Sequence, residues 1–219
     1  MASTPSKPAC FKAYDVRGIV PDQLDTDLAY RIGLATAAHL GAKKMVVGRD
    51  CRLSSADLCA AVARGLTDGG VNVLDIGLCG TEMVYYTTFA RRLDGGIMVT
   101  ASHNPMDHNG MKLVRGGARP ISGDSGLDEI GALAIDCDLE LTGKPGTVTR
   151  EDVLAPYIEH LLSLVDLSSI RPLKIVANAG NGCAGPAVAS LAKHLPCEII
   201  PQFAEPDGNF PNGIPNPLL

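Results

Sequence analysis

Short apolar segments recur along the first hundred residues, separated by longer segments in which apolar residues stand three or four apart. The apolar segments at 45–47, 71–76 and 96–100 are too short and too uniformly apolar to alternate with polar residues, so they predict buried strands. Residues 11–15 predict an opening strand, followed by a turn at Arg17-Gly18. The alternation of strands with helices predicts an α/β fold, with a mixed, mainly parallel sheet sandwiched by helices.

The longer segments predict amphipathic helices whose ends can be recognised. Asp25 is a suitable N-cap for the first helix, and Gly41 ends it. Ser54 or Ser55 caps the second helix, and the third helix covers residues 81–90. In a parallel sheet covered by such helices, ligands bind beyond the carboxyl ends of the strands. Functional residues are therefore expected in the segments that follow each strand.

The second half of the chain predicts a change of domain. Residues 121–150 are rich in acidic, glycine and proline positions, which predicts a peripheral helix followed by a domain boundary. Domain 1 would then cover residues 1–150, and residues 151–219 would begin a second, incomplete α/β domain of the same type. Within that second domain, residues 151–165 predict an amphipathic helix and residues 173–177 a strand.

Composition and charge narrow the functional classes. The 219 residues carry a formal net charge of −5 without long runs of one sign, which argues against a nucleic-acid or anionic-membrane partner. The seven scattered cysteines contain no Cys-x-x-Cys pair, so we interpret them as small buried hydrophobes in a reducing compartment rather than as disulfides or a zinc site. The first eight residues contain no apolar core, so a signal peptide is not expected. No apolar run reaches the roughly 18 residues that cross a bilayer. We therefore expect a cytoplasmic protein.

The segment Thr100-Ala-Ser-His-Asn-Pro105 is the strongest candidate for chemistry. Its proline restricts the preceding asparagine to extended conformations, so the loop cannot continue as a helix. Asn109-Gly110 is a hairpin signal. If the flanking segments pair about Asp107, Ser102 faces Lys112.

A phosphate site is the functional interpretation of this loop. Ser102 would face the Lys112 ammonium, with His103 and Asn104 as flanking donors, and phosphoryl transfer depends on such positioning and charge neutralisation. The structural alternative is that Ser102 is only a turn or capping residue. Serine hydrolase chemistry is disfavoured, since there is no Gly-x-Ser-x-Gly motif and no strained strand-to-helix turn is expected. The adjacent side chains of Ser102 and His103 are also expected to diverge.

Five segments together resemble one protein family. Thr100-Ala-Ser-His-Asn-Pro105 resembles the phosphoserine loop of the α-D-phosphohexomutases, the phosphomannomutase/phosphoglucomutase family. Phe11-Lys-Ala-Tyr-Asp-Val-Arg-Gly18 is similar to the family's opening segment, and Gly110-Met-Lys112 to the segment that supplies its catalytic lysine. Val176-Ala-Asn-Ala-Gly-Asn-Gly182 and Pro206-Asp-Gly-Asn-Phe-Pro-Asn-Gly213 resemble the first part of its second domain. The resemblance covers essentially the whole chain, in the family's own order.

The resemblance implies a phosphomannomutase reaction. Mannose 6-phosphate and mannose 1-phosphate would interconvert through a phosphoserine enzyme and a bound hexose 1,6-bisphosphate, which also serves as activator. Ser102 would carry the phosphoryl group and, through its phosphate oxygen, bind Mg²⁺, while Lys112 would assist proton movement. Arg17 and His103 would bind phosphate oxygens. The implied catalytic and phosphate-binding residues are Ser102, Lys112, Arg17, His103, Asn104 and Arg49.

Two features leave alternatives open. Arg49 would either contact phosphate or only stabilise its loop by an ion pair with Asp50. Gly180-x-Gly182-x-x-Gly185, with Glu205 about 20 residues later, matches a dinucleotide-binding fingerprint and supports an NAD-dependent oxidoreductase as an alternative. A glycine turn between a strand and a helix is common in α/β units, however, and the alternative leaves the Ser102 segment without a role.

The sequence also departs from the family's pattern. Members carry a magnesium loop resembling Asp-Gly-Asp-Gly-Asp-Arg, then a sugar-discriminating domain and a C-terminal phosphate-binding domain, and none of these occurs here. We therefore expect a truncated chain that is inactive alone, with the other magnesium ligands in the missing part of domain 2. Self-association through the incomplete second domain is also expected. A folded phosphosite module without turnover is a third hypothesis, and phosphoglucomutase activity remains an alternative to phosphomannomutase activity.

Overall fold

Two sheets organise the residues that the structure, a computed structural model, describes, namely 8–135, 141, 143–214 and 216. The strands are β1 (Val16–Ile19), β2 (Lys44–Arg49), β3 (Asn72–Leu78), β4 (Gly95–Val99), β5 (His108–Arg115), β6 (Arg119–Pro120), β7 (Val148–Arg150), β8 (Lys174–Asn178) and β9 (Glu198–Gln202). The helices are α1 (Thr26–Leu40), α2 (Ser55–Asp68), α3 (Thr81–Ala90), α4 (Leu127–Ile135), α5 (Leu154–Ser163) and α6 (Ala184–Ala192). Strands and helices alternate through the first half, as the hydrophobic pattern predicts.

The first sheet is mixed and has the order β1-β5-β4-β2-β3-β7, with β6 paired to β5. β2 runs parallel to β3 and β4, and β7 runs parallel to β3. β5 runs antiparallel to β1, β4 and β6. The predicted mixed α/β sheet is therefore confirmed. Because Arg49 of β2 pairs with Val99 of β4 and Leu78 of β3, three parallel strands end at one edge, where the Ser102 segment begins.

Apolar side chains pack on both faces of the central strands. Met45, Val47 and Ile97 are buried in one cluster with α1, α2 and α4, whereas Val46 and Met98 are buried in another with α3 and α5. Burying one such side chain contributes about 1.5–3 kcal/mol relative to leaving it exposed. The central strands therefore read as uninterrupted apolar segments because neither face is solvated.

The helix ends follow the predicted caps with one exception. Asp25 Oδ1 accepts a hydrogen bond from Leu28 N at 2.8 Å, and Gly41 ends α1 with a φ of 56°. Ser54 holds the N-cap position of α2, but its side chain makes no capping hydrogen bond. Its hydroxyl instead takes part in a buried network beneath the Ser102 segment. Ser54 therefore occupies the predicted N-cap position, but it does not form the hydrogen bond expected of a capping side chain.

The opening of the chain differs from the prediction. Phe11 forms a single antiparallel bridge with Val16, and the strand itself begins only at Val16. Arg17 and Gly18, predicted as a turn, lie inside β1. Local sequence could not reveal this, because β1 is held by pairing with β5, a partner that is distant in sequence.

The Asn109-Gly110 signal also does not form a turn. Both residues lie inside β5, opposite Gly18 and Arg17 of β1. The glycine is required by a close approach, since Val16 O lies 2.0 Å from the position that a Cβ of residue 110 would occupy. The predicted hairpin turn at this position is therefore wrong.

The segment predicted to hold the domain boundary contributes a strand to the first sheet. The predicted peripheral helix is α4, and β7 then pairs in parallel with β3. Asn72 Oδ1 accepts hydrogen bonds from both the backbone N and the hydroxyl of Thr147, at 3.1 and 3.0 Å. Residues 136–140 and 142, which include part of the acidic segment, lie outside the described residues. The assignment of residues 1–150 to domain 1 stays a prediction.

The second sheet contains β8 and β9, which pair in parallel and are connected through α6. The predicted strand at 173–177 corresponds to β8. Helix α5 packs against α3. Tyr86 Oη donates to Pro156 O at 3.0 Å, and the ring centroids of Tyr86 and Tyr157 lie 5.4 Å apart. Across the described ranges, no helix combines the length and the apolar character needed to cross a membrane.

Candidate active site

Ser102 lies on a strained turn just beyond β4. Its φ of 53° is in the left-handed region, which costs a residue with a side chain about 1–2 kcal/mol. Ser102 N donates to Thr100 Oγ1 at 3.0 Å, and the exposed Ser102 Oγ lies 3.3 Å from His103 Nδ1. The prediction that the Ser102 and His103 side chains diverge is therefore wrong. The strained turn joins strand β4 to strand β5 and is not a strand-to-helix turn. A left-handed residue breaks the alternation of directions that an extended chain imposes.

The rest of the loop, residues 100–108 (the Ser102 loop), is closed on itself by hydrogen bonds. Asn104 donates to Ala101 O twice, from its backbone N at 3.0 Å and from Nδ2 at 2.7 Å. The amide predicted to bind phosphate is thus engaged with the loop backbone. Among the described residues, no carboxylate holds the His103 ring, so a Ser–His–carboxylate triad is not formed.

Arg52 holds the Ser102 loop from beneath. Its side chain is buried, with 2% of the residue exposed. Nη1 donates to the carbonyl oxygens of Pro105 and His108, at 2.6 and 2.9 Å. Nη2 donates to those of Ser102 and Asn104, at 2.8 and 2.7 Å. One planar guanidinium therefore restrains four carbonyl groups of the loop at once.

Asp50 anchors Arg52 in turn. Its Oδ1 accepts hydrogen bonds from Arg52 N at 3.0 Å and from Ser55 Oγ at 2.5 Å, and its Oδ2 lies 3.4 Å from Arg52 Nε. Asn109, which is fully buried, donates to Ser55 Oγ at 2.9 Å. Burial lowers the pKa of the Arg52 guanidinium, and the nearby Asp50 carboxylate opposes that shift. This network joins the loop after β2 to the Ser102 loop.

Sequence reasoning missed Arg52, and its expectation for Arg49 needs a correction. Arg49 Nη1 lies 3.4 Å from the backbone O of Asp50, while the Asp50 carboxylate pairs with Arg52. The predicted Arg49–Asp50 ion pair is therefore wrong. In the sequence, Arg52 is visible only as a second arginine close to Asp50 at the end of β2. That pattern does not show that the Arg52 side chain is buried. Arg49 instead lines a cleft of about 540 Å³ at the carboxyl ends of β2 and β3, together with Arg150 and Cys183.

A cluster of charged side chains lies where β1 meets β5. Asp15 is buried, with 7% of the residue exposed. Its Oδ2 atom accepts hydrogen bonds from both Arg17 Nη2, at 2.5 Å, and Lys112 Nζ, at 3.4 Å. Because Arg17 pairs with Gly110 across the strands, the Arg17 and Lys112 side chains lie on the same face of the sheet. One carboxylate balances only one of the two cations, so the cluster keeps a net positive charge. Two predicted site residues are thus brought together by an aspartate that sequence reasoning did not single out.

Lys112 does not face Ser102 as predicted. In the pairing of β4 with β5, Lys112 stands opposite Met98, so the chain reverses about Pro105 rather than Asp107. The error follows from the misread glycine signal, which shifted the expected register. Lys112 instead lies in the charged cluster at β1 and β5. The Ser102 loop adjoins the same part of β5, where Thr100 N donates to Gly110 O at 2.9 Å.

The donors that a magnesium ion needs are incomplete in the described part of the chain. No group of three or more His, Cys, Asp or Glu side chains converges there to hold a metal. Asp107, the carboxylate closest to Ser102 in sequence, pairs with His108 at 2.7 Å. Magnesium beside a phosphate usually takes one or two protein carboxylates. The described residues therefore do not fit the ion by themselves, and a phosphorylated Ser102 would supply one oxygen.

The glycine turn after β8 (residues 179–183) is packed against other parts of the chain. Gly180 and Asn181 both have positive φ, of 55° and 59°. Asn181 Nδ2 donates to Glu205 O at 3.0 Å. Ala204 O lies 1.8 Å from the position that a Cβ of Gly185 would occupy. Close packing within the chain therefore accounts for the glycine pattern that resembles a dinucleotide-binding fingerprint.

Comparison with known families decides the assignment of the chain. Residues 8–135 match the phosphoglucomutase/phosphomannomutase α/β/α domain I, and residues 155–219 match α/β/α domain II of the same proteins. The chain belongs to the phosphoglucomutase/phosphomannomutase family. The resemblance carried by the sequence motifs is thereby confirmed, and the mixed sheet with flanking helices is that of a family member.

Individual relatives agree with this assignment. A protein of Xanthomonas campestris named "Phosphohexose mutases" is 57% identical over 211 residues, covering 95% of this chain and 47% of the relative. A phosphomannomutase of Escherichia coli K12 is 50% identical over 220 residues, covering 97% of this chain and 48% of the relative. The crystal structure of a phosphoglucomutase/phosphomannomutase family protein from Burkholderia thailandensis gives a TM-score of 0.86 at 40% identity, covering 96% of this chain and 47% of that one. The chain spans about half the length of the curated relatives it matches.

Proposed function

We propose that Ser102 is the phosphorylated residue of a phosphohexomutase, which takes a phosphoryl group from a hexose 1,6-bisphosphate and returns it to a hexose monophosphate. One observation carries the proposal, namely an exposed hydroxyl on a turn whose backbone is held by four hydrogen bonds from one buried guanidinium. Phosphoryl transfer needs little covalent assistance from a protein but depends strongly on position. A restrained loop that presents an exposed hydroxyl meets that need.

In the proposed transfer, the bond between Ser102 Oγ and phosphorus breaks while a bond forms between phosphorus and a hydroxyl oxygen of the sugar. The sugar hydroxyl gives up its proton and Ser102 Oγ gains one, with Lys112 as the proposed proton carrier. Arg17 and His103 bind oxygens of the transferring group, and the net positive charge beside Asp15 supports this assignment. Fixed positive charge at the developing phosphoryl charge lowers the barrier.

The proposed substrates are mannose 6-phosphate and mannose 1-phosphate, interconverted through a bound hexose 1,6-bisphosphate. The name of the E. coli relative supports mannose as the sugar. Phosphoglucomutase activity is the alternative, because the name of the Burkholderia family protein includes both sugars. A magnesium requirement is proposed from the family alone, with carboxylate ligands outside the described residues. The roles proposed for Ser102, Lys112, Arg17 and His103 do not depend on the ion. A contact of Arg49 or Asn104 with phosphate stays a prediction.

A single-turnover assay on the chain itself tests the proposal. With stoichiometric mannose 1,6-bisphosphate, ³¹P NMR is expected to show release of mannose monophosphate and growth of a phosphoserine signal. Ser102→Ala is expected to release none. A folded wild-type chain that releases no monophosphate, or equal release by Ser102→Ala, would refute the proposal.

The same assay with glucose 1,6-bisphosphate tests the sugar preference. Faster release from the mannose compound is expected, and equal or slower release would contradict mannose specificity. Sustained conversion of mannose 1-phosphate to mannose 6-phosphate would show that the chain is active alone, against the expectation from its sequence.

A further inference from the structure

Two cysteines that are distant in sequence meet where the glycine turn packs on the loop after β2. Cys51 lies in that loop, and Cys183 occupies the N-cap position of α6. Cys51 Sγ donates to Asn181 O at 3.4 Å, two residues before Cys183, and the two thiols are close enough to interact. The segment after β9 packs closely on the same loop, since Cys51 O lies 2.3 Å from the position that a Cβ of Gly208 would occupy.

Three other described cysteines, Cys10, Cys59 and Cys79, are buried and less suited to react. Burial raises the pKa values of Cys59 and Cys79 to about 12, and it also raises that of Cys10. In the pair, the hydrogen bond from the Cys183 thiol lowers the pKa of Cys51. The same hydrogen bond and burial raise the pKa of Cys183. Because the thiolate is the reactive form, Cys51 is the more nucleophilic member of the pair.

Both thiols are accessible to a small reagent. Cys51 and Cys183 are only partly buried, in contrast to the buried Cys59 and Cys79. Cys183 also lines the cleft that contains the Arg49 side chain, so a small molecule can reach the pair from the cleft. The interpretation of all cysteines as inert buried hydrophobes therefore does not hold for these two.

We propose that Cys51 and Cys183 form a redox-sensitive pair, which a peroxide converts into a disulfide between the loop after β2 and the glycine turn. The Cys51 thiolate attacks one peroxide oxygen, the O–O bond breaks, and a sulfenic acid and one molecule of water result. The Cys183 thiolate then attacks the sulfenic sulfur, the S–O bond breaks, an S–S bond forms, and a second water leaves. Each sulfur loses one electron, and the peroxide takes up both electrons and the two thiol protons.

The disulfide would act on the Ser102 loop through its neighbour in sequence. Cys51 directly precedes Arg52, whose guanidinium holds the carbonyl groups of that loop. Closing the two thiols to a sulfur–sulfur bond of about 2.05 Å would move the loop after β2 and the glycine turn relative to each other. The modification itself does not depend on the proposed function, because it needs only the two thiols and an oxidant.

Peptide mapping by mass spectrometry on the folded chain tests the pair. The chain is treated briefly with hydrogen peroxide, and the remaining thiols are alkylated. We expect a peptide linked through Cys51 and Cys183, whose mass is two hydrogen atoms below the sum of the two thiol peptides. The linked peptide is expected to disappear on reduction. Cys51→Ser and Cys183→Ser are each expected to abolish the linked peptide. Cys197→Ser, at a partly buried cysteine outside the pair, is the matched control and is expected to retain it.

Three outcomes would overturn the proposal. The first is that wild-type Cys51 and Cys183 are both alkylated after peroxide treatment as completely as before it. The second is that either one is converted to sulfinic or sulfonic acid without a linked peptide. The third is that Cys51 links mainly to another cysteine, Cys137 or Cys197. Wild-type protein alone decides among these outcomes, so a variant that fails to fold does not weaken the test.

Discussion

At the scale of single residues, the Ser102 loop depends on side chains that do not touch the proposed substrate. Arg52 and Asp50 restrain the loop from below, and Asp15 gathers Arg17 and Lys112 beside it. The motif around Ser102 could be recognised from the sequence, because it is a contiguous segment. The supporting residues could not, since burial of an arginine and the sharing of one carboxylate by two cations arise only when distant segments pack.

Arg52→Met is expected to destabilise the protein by about 3–5 kcal/mol, because it leaves a buried carboxylate and several loop carbonyl groups without their partner. The free energy of unfolding in urea measures this effect. Arg31→Met is the matched control, since Arg31 and Asp27 form an exposed pair one helical turn apart. Such a pair contributes about 0.2–0.5 kcal/mol. Equal effects of the two substitutions would contradict the restraining role of Arg52.

Lys112→Met is expected to slow phosphorylation of Ser102 by more than about tenfold while changing stability little, because one positioned charge usually contributes at least that much. The rate of phosphate uptake from hexose 1,6-bisphosphate measures it. Lys12→Met is the control, since Lys12 is exposed and donates only to a backbone carbonyl. A loss similar to that of the control would mean that Lys112 is only a partner of Asp15.

At the scale of elements, the apolar pattern predicted strands and helices well where neighbours in sequence determine them. Strands β2, β3 and β4 are buried on both faces and helix α1 has its own cap, so each leaves a local signal. Strands β1, β5 and β7 were mispredicted or missed. The first and last residues of these strands are set by pairing with segments that are distant in the chain. A local pattern of apolar residues contains no information about such pairing.

Gly110→Ala is expected to destabilise the protein by about 1–3 kcal/mol, because a Cβ would stand 2.0 Å from Val16 O and push β1 from β5. Gly143→Ala is the control, since a Cβ there would meet nothing within 4 Å. Thermal unfolding of both variants compares them. A control-like result for Gly110→Ala would contradict the close approach of β1 to β5 at this glycine.

At the scale of the whole molecule, the segment that follows β9 contacts Arg52, whose guanidinium holds the Ser102 loop. The Phe210 ring, of which 7% is exposed, lies 5.3 Å from the guanidinium carbon of Arg52. In contrast, β8 presents apolar side chains to solvent, with Val176 57% and Ile175 37% exposed. The family motifs revealed the presence of this second sheet, whereas its contacts with the first sheet depend on packing that motifs do not describe.

The exposed apolar side chains of β8 predict self-association of the chain through this strand. Sedimentation velocity is expected to show dimers or larger species whose fraction rises with protein concentration. Val176→Lys is expected to reduce that fraction. Val165→Lys replaces a valine of similar exposure, 52%, two residues beyond the end of α5 and is the control. A monomer at all concentrations, or an equal effect of both lysines, would contradict the prediction.

Locating the phosphoryl group after reaction shows whether Ser102 is the residue that accepts it. The chain is incubated with a hexose 1,6-bisphosphate, digested and mapped by tandem mass spectrometry. We expect one phosphorylated peptide, with the phosphate on Ser102, and no phosphate on the same peptide from Ser102→Ala. Phosphate on a different residue, or undiminished labelling of Ser102→Ala, would contradict it.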